Sequence, residues 1–338
     1  MANKIRWGIL STADINSIMV PAIHKDERCE IVAIASRDLR KARECSEKLG
    51  IHQAYEGYDT LLADREIDAV YISLPNSMHH EWCIKAAKAG KHILCEKPLA
   101  TSVDESQEMI YEAQKKSVFL QEGFMYRYHP QTLKMKELVQ AKTVGKVNYL
   151  YGTFSYSYFQ AYRENAMTNY RTKPEMGGGC LWDIGSYVIN YLRYLAGTEP
   201  IEVFGHSEIL PGYEVEGIFC GQLRFPDQVL AQFECSYMQA QRCITEVYGN
   251  SGSLRIPYSY CLVWDSNEEP IVLMESGKET VVEVENANAY EHEIAHFCDC
   301  VLLGRERLIP LTDAVNNIKT LVALRESAKT GKVIKVTQ

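Results

Sequence analysis

Residues 5–36 read IRWGILSTADINSIMVPAIHKDERCEIVAIAS, and this stretch decides the fold. Ile5–Leu10 is a short apolar run of buried-strand character. Gly8 to Ile15 turn the chain and open a helix that continues through Ile23. Glu30–Ser36 is a second β-branched run. Strand, turn, helix and strand in that order make a βαβ unit, and the alternation goes on. Leu39–Leu49 is charged and helically periodic, and Asp68–Leu74, Met78–Ala89, His92–Cys95, Val103–Lys116 and Val118–Gln121 follow. Repetition of this kind predicts a parallel sheet with crossover helices.

The texture changes after about Phe124. A helix at Pro130–Gln140 leads into a long strand, Lys146–Tyr158. The turn Gly177-Gly178-Gly179 precedes a helix from about Asp183 to Leu195. Strand-like runs follow at Ile201–Leu210, Glu216–Phe225, Val229–Ser236, Ile244–Tyr248, Ser253–Ile256 and Thr280–Val284. Helices at about Ala289–Leu303 and Thr312–Thr330 and a strand at Val333–Val336 complete the pattern. Strands in succession predict a second α/β domain with a large, open, mainly antiparallel sheet. The expected boundaries are 1–122 and 123–338.

Composition excludes several classes. The 338 residues are 46% hydrophobic and 24% charged, which fits a globular protein of about two domains. A formal charge of −8 gives no basic footprint for nucleic acid and no attraction to anionic membranes. No apolar run reaches the ~18–20 residues of a membrane span. The N-terminus, from Met1 to Trp7, shows no signal-peptide pattern. The 11 cysteines are scattered, without a CxxC pair, and read as buried thiols of a cytoplasmic protein; Cys298-x-Cys300 is too isolated for a zinc site.

The turn after the first strand is where a dinucleotide-binding fold puts its phosphate loop. Backbone approach there needs small residues, and helix N–H groups face the pyrophosphate. This chain has Ser11, Thr12, Ala13, Asp14 and Ile15, with Ser11, Ala13 and Asn16 at the positions glycine usually takes. A plain strand–turn–helix reads the same way. At the end of the second strand, Ser36 and Arg37, with Arg40 and Lys41 nearby, suit a 2′-phosphate, so the expected cofactor is NADP(H) rather than NAD(H). A solvated basic turn is the alternative, and Asp38 fits either a ribose-binding acid or a helix N-cap.

Glu96-Lys97-Pro98 follows the strand His92–Cys95, at the carboxyl end where open α/β sheets bind ligands. A lysine there donates to a substrate oxygen or moves a proton, and Glu96 orients or neutralises it. Leu74, Pro75, Asn76 and His79, together with Gly123 and Arg127, are further candidates for the cofactor border.

These residues, with Glu122-Gly123-Phe124-Met125-Tyr126-Arg127 and Gly177-Gly178-Gly179-Cys180-Leu181-Trp182-Asp183-Ile184-Gly185-Ser186-Tyr187, occur in a recognisable order. The whole chain resembles the Gfo/Idh/MocA oxidoreductase family. Tyr187 in place of a histidine makes it most similar to the branch of glucose–fructose oxidoreductase, D-xylose 1-dehydrogenase and dimeric dihydrodiol dehydrogenase. The resemblance implies a Rossmann domain, a second domain whose sheet packs on another subunit as a homodimer or homotetramer, and Lys97 against the reacting hydroxyl or carbonyl. It also implies that Asp183 and Tyr187 complete the site. The missing loop glycines are a departure from the family. The substrate implied is a small sugar or diol, and a non-catalytic NADP(H)-binding regulator is the alternative.

Asp183 and Tyr187 are spaced i, i+4 and share one helix face. The glycine run lets backbone approach a ligand closely, and a tyrosine near a lysine acts as acid toward a carbonyl. The bland alternative makes Tyr187, Tyr191 and Tyr194 a packed aromatic stripe. Arg127, Tyr158, Asn169, Arg171 and Trp182 are expected to line the substrate pocket, with Tyr156 in an aromatic wall.

His292-Glu293-Ile294-Ala295-His296 matches the zinc-protease signature H-E-x-x-H. No third ligand stands at the expected spacing; Leu302 is there instead. The segment reads as an amphipathic helix carrying Phe297 and Val301 inward, and no metal is expected.

Overall fold

The computed structural model describes residues 4–162, 166–260 and 270–337. The start of the N-terminal reading, Met1 to Asn3, lies outside the described residues. Two compact units emerge. One joins Met1–Tyr128 to Ala289–Val315, and the other joins His129–Asn288 to Asn316–Gln338. The expected division was a single cut at 122/123. The chain instead returns to the first unit late, because its apolar Ile294 and Phe297 pack there; Phe297 meets Trp7 at 4.7 Å and Phe119 at 5.2 Å between ring centroids.

The first unit holds six parallel strands: β1 (Ile5–Leu10), β2 (Cys29–Ser36), β3 (Gln53–Glu56), β4 (Ala69–Ile72), β5 (His92–Glu96) and β6 (Leu120–Gly123). Their order is β3-β2-β1-β4-β5-β6. The strand order reverses between β1 and β4, the crevice where doubly wound sheets bind ligands. Edge strand β3, QAYE, escapes the sequence reading because it is polar and half-exposed. Helix α1 (Asn16–Lys25) follows β1, and α2 (Leu39–Leu49) follows β2.

Among the described residues, the second unit carries a ten-stranded mixed sheet. It includes β7 (Val147–Ser157), β8 (Glu202–Ile209), β9 (Glu216–Arg224), β10 (Leu230–Ser236) and β11 (Met238–Arg242). β10 runs parallel to β7, and the other pairings are antiparallel. Strands Met238–Arg242 and Ile271–Glu275 were not anticipated. No helix among the described residues is long and apolar enough to cross a membrane.

Candidate functional site

The glycine-poor turn after β1 keeps a glycine-like conformation. Ser11 has φ +135°, in a region that L residues rarely enter. Its hydroxyl donates to Ser73 O (3.0 Å), and its Oγ accepts from the Ala13 N–H (2.9 Å). Asn16 Nδ2 donates to Ser11 O (2.8 Å), while Asn16 Oδ1 accepts from Ser73 Oγ (2.9 Å). Ser73 and Asn16 thus stabilise a bend that glycine would adopt without help. Sequence reasoning noticed Asn16 only as a missing glycine and missed Ser73 altogether. Thr12, Ala13 and Ile15 are half-buried, and Asp14 is exposed. α1 has no acidic residue in its first turn and no side-chain N-cap, so its amino end suits an anion.

At the end of β2, Asp38 takes the N-cap role, one of the two expected for it. Its side chain caps α2, accepting from Arg40 N (2.9 Å) and Lys41 N (3.3 Å). Arg40 pairs with Glu44 at 2.8 Å. Ser36 is buried and accepts from Asp38 N (3.3 Å); Arg37 and Lys41 are exposed. Asp38 thus caps through Oδ1, beside the exposed side chains of Arg37 and Lys41.

Lys97 follows β5 in a loop tied on both sides. The Lys97–Pro98 bond is cis. The Leu99 N–H donates to Glu122 Oε1 (2.7 Å). His79, expected beside a cofactor, is fully buried, with Nδ1 2.9 Å from Pro98 O and Nε2 2.8 Å from Leu74 O. Burial holds its pKa below the usual value, against the pull of those two carbonyls. His79 therefore braces the loops after β4 and β5 against each other. Pro75 is half-buried and Asn76 buried beside it. Glu96 accepts the Tyr71 hydroxyl at 2.6 Å. Gly123 lets β6 pass close to β5: a Cβ there would lie 3.3 Å from Cys95 O. Arg127 is buried and paired with Asp313 at 3.4 Å.

In the second unit Asp183 is the hub. It is buried, and three donors meet on its Oδ2: Arg171 Nε (2.9 Å), Tyr237 Oη (3.0 Å) and Tyr156 Oη (3.2 Å). Burial, then the charge of Asp183, pushes both tyrosines well above their ordinary pKa, so they remain donors. Burial opposes the Arg171 charge, but Asp183 and the surrounding tyrosines outweigh it and raise the pKa. Charge-assisted donors on one oxygen stabilise the carboxylate as an anion.

The local chain explains how Asp183 gets there. Leu181–Gly185 is π-helical, and an α-helix, Ser186–Ala196, continues from it. The expected uniform helix is thus wider over its first turn, a distortion common at functional sites. Tyr187 is nearly buried, its ring 5.8 Å from Phe154 and 6.1 Å from Tyr260. Trp182 is buried one residue before Asp183.

The glycine run differs from its expected use. A Cβ on Gly178 would sit 2.6 Å from Arg171 O, and one on Gly179 would sit 2.5 Å from Glu216 Oε1. Both glycines admit parts of the protein: the Arg171 main chain and the Glu216 carboxylate. Other pocket expectations shift likewise. Arg171 is bound to Asp183. Asn169 Oδ1 caps a short turn by accepting from Arg171 N (3.1 Å). The Tyr158 hydroxyl donates to Ala166 O (3.1 Å), and its ring packs on Tyr237 at 5.2 Å. Tyr237, Tyr71 and Glu216 are the residues that sequence reasoning missed, since single tyrosines and a strand-end glutamate carry no motif.

In the H-E-x-x-H segment, now within α3 (Ala289–Leu303), His292 is exposed and Glu293 is fully buried. His296 Nε2 accepts from Leu308 N at 3.0 Å. Burial, then the charge of Glu96, pushes the Glu293 pKa well up. Phe297 is buried as expected, but Val301 is only half-buried.

Known proteins share this architecture. Residues 5–124 match an oxidoreductase family with an NAD-binding Rossmann fold, and residues 132–255 match the GFO/IDH/MocA C-terminal domain. The chain is 32% identical to a D-xylose 1-dehydrogenase (NADP(+)) of Haloferax volcanii, over 98% of this chain and 99% of that one. It is 29% identical to a trans-1,2-dihydrobenzene-1,2-diol dehydrogenase of Xenopus laevis, over 90% and 91%. A 3-ketoreductase of Actinomadura kijaniata, solved with NADP and TDP-benzene, superposes with a TM-score of 0.89 at 26% identity, covering 96% of this chain and 98% of that one. On sequence and fold together, the chain belongs to the Gfo/Idh/MocA oxidoreductase family.

Proposed function

We propose that the protein is an NADP(H)-dependent oxidoreductase that interconverts a hydroxyl and a carbonyl on a small sugar or related diol. The observation that carries this reading is Lys97, nearly buried, in a braced loop at the carboxyl end of β5. The relatives named for xylose, dihydrodiol and ketosugar chemistry support the substrate class.

The turn Ser11–Ile15 and the amino end of α1 hold the pyrophosphate, Ser36, Arg37 and Lys41 hold the 2′-phosphate, and Leu74, Pro75, Asn76 and Gly123 border the rest of the cofactor. The bound nicotinamide supplies or accepts the hydride. Lys97 donates a hydrogen bond to the reacting oxygen and polarises the carbonyl. Tyr187 gives that oxygen its proton during reduction and takes it back in oxidation. Asp183, held as an anion by Arg171, Tyr156 and Tyr237, accepts from a substrate hydroxyl and fixes its orientation. Trp182 adds an apolar wall. The first unit acts as the nucleotide domain, and the second supplies the substrate residues and the assembly sheet. The protein works as a cytoplasmic homodimer or homotetramer joined through that sheet, on whose strands Leu230, Met238 and Tyr248 are exposed.

The test is turnover of NADPH and NADP with a panel of aldoses, ketosugars and diols. Lys97→Met and Tyr187→Phe are expected to lower kcat by about 100-fold or more while NADPH still binds. Undiminished turnover in both overturns the roles. Arg37→Ala is expected to weaken NADP far more than NAD; equal weakening rejects the cofactor preference. Binding without turnover across the panel favours the regulator.

A further inference from the structure

We propose that Asp26, Cys29 and Cys298 form a zinc-binding site in the first unit, with two sulfurs and one carboxylate oxygen as ligands. Asp26 lies in the turn before β2, Cys29 opens β2, and Cys298 lies on α3. The two sulfurs are 3.3 Å apart across 269 positions of sequence. All three ligand atoms lie within 4.8 Å of one another. Zinc sits about 2.3 Å from sulfur and about 2.0–2.2 Å from a carboxylate oxygen, so tetrahedral ligands stand roughly 3.5–3.8 Å apart. The sulfurs, at 3.3 Å, part by about half an ångström when the ion binds, and the carboxylate oxygen lies within 4.8 Å of both.

The surroundings orient each ligand as metal sites require. Arg28 grips both Asp26 oxygens, through Nε (2.9 Å) and Nη2 (2.6 Å), and reaches Asp299 through Nη1 (2.7 Å). The Trp7 indole N–H donates to Cys29 Sγ at 3.3 Å. Two thiolates, one carboxylate and Zn²⁺ leave one negative charge, which the Arg28 guanidinium balances. A thiolate pair selects a soft or borderline ion over Mg²⁺ or Ca²⁺. Cys298 is fully buried, and the Asp26 side chain, 14% exposed, is the side open to water. Water is then the fourth ligand. The bound ion ties α3 to the start of β2. This site is separate from the H-E-x-x-H residues of the same helix and does not depend on the reaction assigned above.

The test uses the full-length protein, stripped with a chelator under reducing conditions and titrated with Co²⁺ and then Zn²⁺. One equivalent of Co²⁺ is expected to give a thiolate-to-metal charge-transfer band and strong tetrahedral visible bands, both bleached by Zn²⁺. Zn²⁺ is also expected to raise the thermal midpoint. Cys298→Ser should abolish the charge-transfer band. Should that variant fail to fold, Asp26→Asn keeps both thiols and should weaken Zn²⁺ at least about tenfold. The proposal falls if the stripped protein gives no thiolate band, if the tested variants leave band and affinity unchanged, or if the reduced sulfurs reappear as a Cys29–Cys298 disulfide that binds no ion.

Discussion

Two turns carry the candidate chemistry, and they meet the same steric demand in opposite ways. The turn after β1 has no glycine at its critical bend. Ser11 takes φ +135° and is stabilised by Ser73, Ala13 and Asn16. The turn before Asp183 has three glycines in a row, and two of them admit the protein's own Arg171 backbone and Glu216 carboxylate. Side-chain hydrogen bonds can thus replace a glycine, and a glycine run need not announce a ligand. The difference lies in what must come close. At Gly178 the neighbour is main chain, which cannot rotate away.

The largest effect should come from Gly178→Ala. Its new Cβ would meet Arg171 O at 2.6 Å and Tyr170 O at 2.8 Å. Relieving that overlap shifts the segment carrying Arg171 and pulls its guanidinium from Asp183. Overpacking of this kind costs about 1–3 kcal/mol, and a misplacement near 1 Å costs about 100-fold in rate. Denaturant unfolding and kcat with NADPH check it together. Near-normal kcat would mean that the Asp183 clamp does not matter to turnover.

Glu216, behind the same turn, gives a smaller effect with a definite sign. Burial raises its pKa above the ordinary 4.5, with the N–H groups of Glu216 and Leu181 and the charge of Arg325 offsetting part of this. The folded state therefore holds this proton more tightly than the unfolded state. The associated stability is full below about pH 4.5 and is lost as pH rises through the folded value, at up to about 1.4 kcal/mol per pH unit. Glu216→Gln should flatten that decline in thermal midpoints measured from pH 4 to 8. An unchanged slope would assign the pH dependence to other groups.

The same contrast explains how much was legible in the sequence. The βαβ alternation, Glu96-Lys97-Pro98 and Asp183 with Tyr187 stood out because their signals are local: a period, a short motif, a spacing. The brackets around them did not. Tyr237 reaches Asp183 over 54 positions, and Ser11 reaches Ser73 over 62. Asn169, Arg171 and Tyr158 carry suitable polar groups, yet their hydrogen bonds close within the protein, which composition cannot reveal. The second domain boundary was missed for a related reason. α3 continues the chain from the open sheet but buries Phe297 against Trp7 of the first unit.

The smallest effect, and the sharpest on the comparison, is expected from Ser11→Gly. Glycine relieves the positive-φ strain, about 1–3 kcal/mol, but adds about 0.5–1 kcal/mol of backbone entropy cost. It also loses the Ser11 hydroxyl bonds to Ser73 and Ala13, at about 0.5–1.5 kcal/mol each. These terms nearly cancel, so stability should change by less than about 1 kcal/mol. Dinucleotide affinity is the informative readout. In the native protein Ser11 Oγ occupies the Ala13 N–H, one of the loop donors facing the proposed pyrophosphate. Removing the hydroxyl frees that donor, so NADPH should bind on the order of threefold tighter by calorimetry, since each tenfold is about 1.4 kcal/mol. Weaker binding would mean that the serine hydroxyl itself serves the phosphate, and that the turn after β1 replaced its glycine with a ligand rather than a brace.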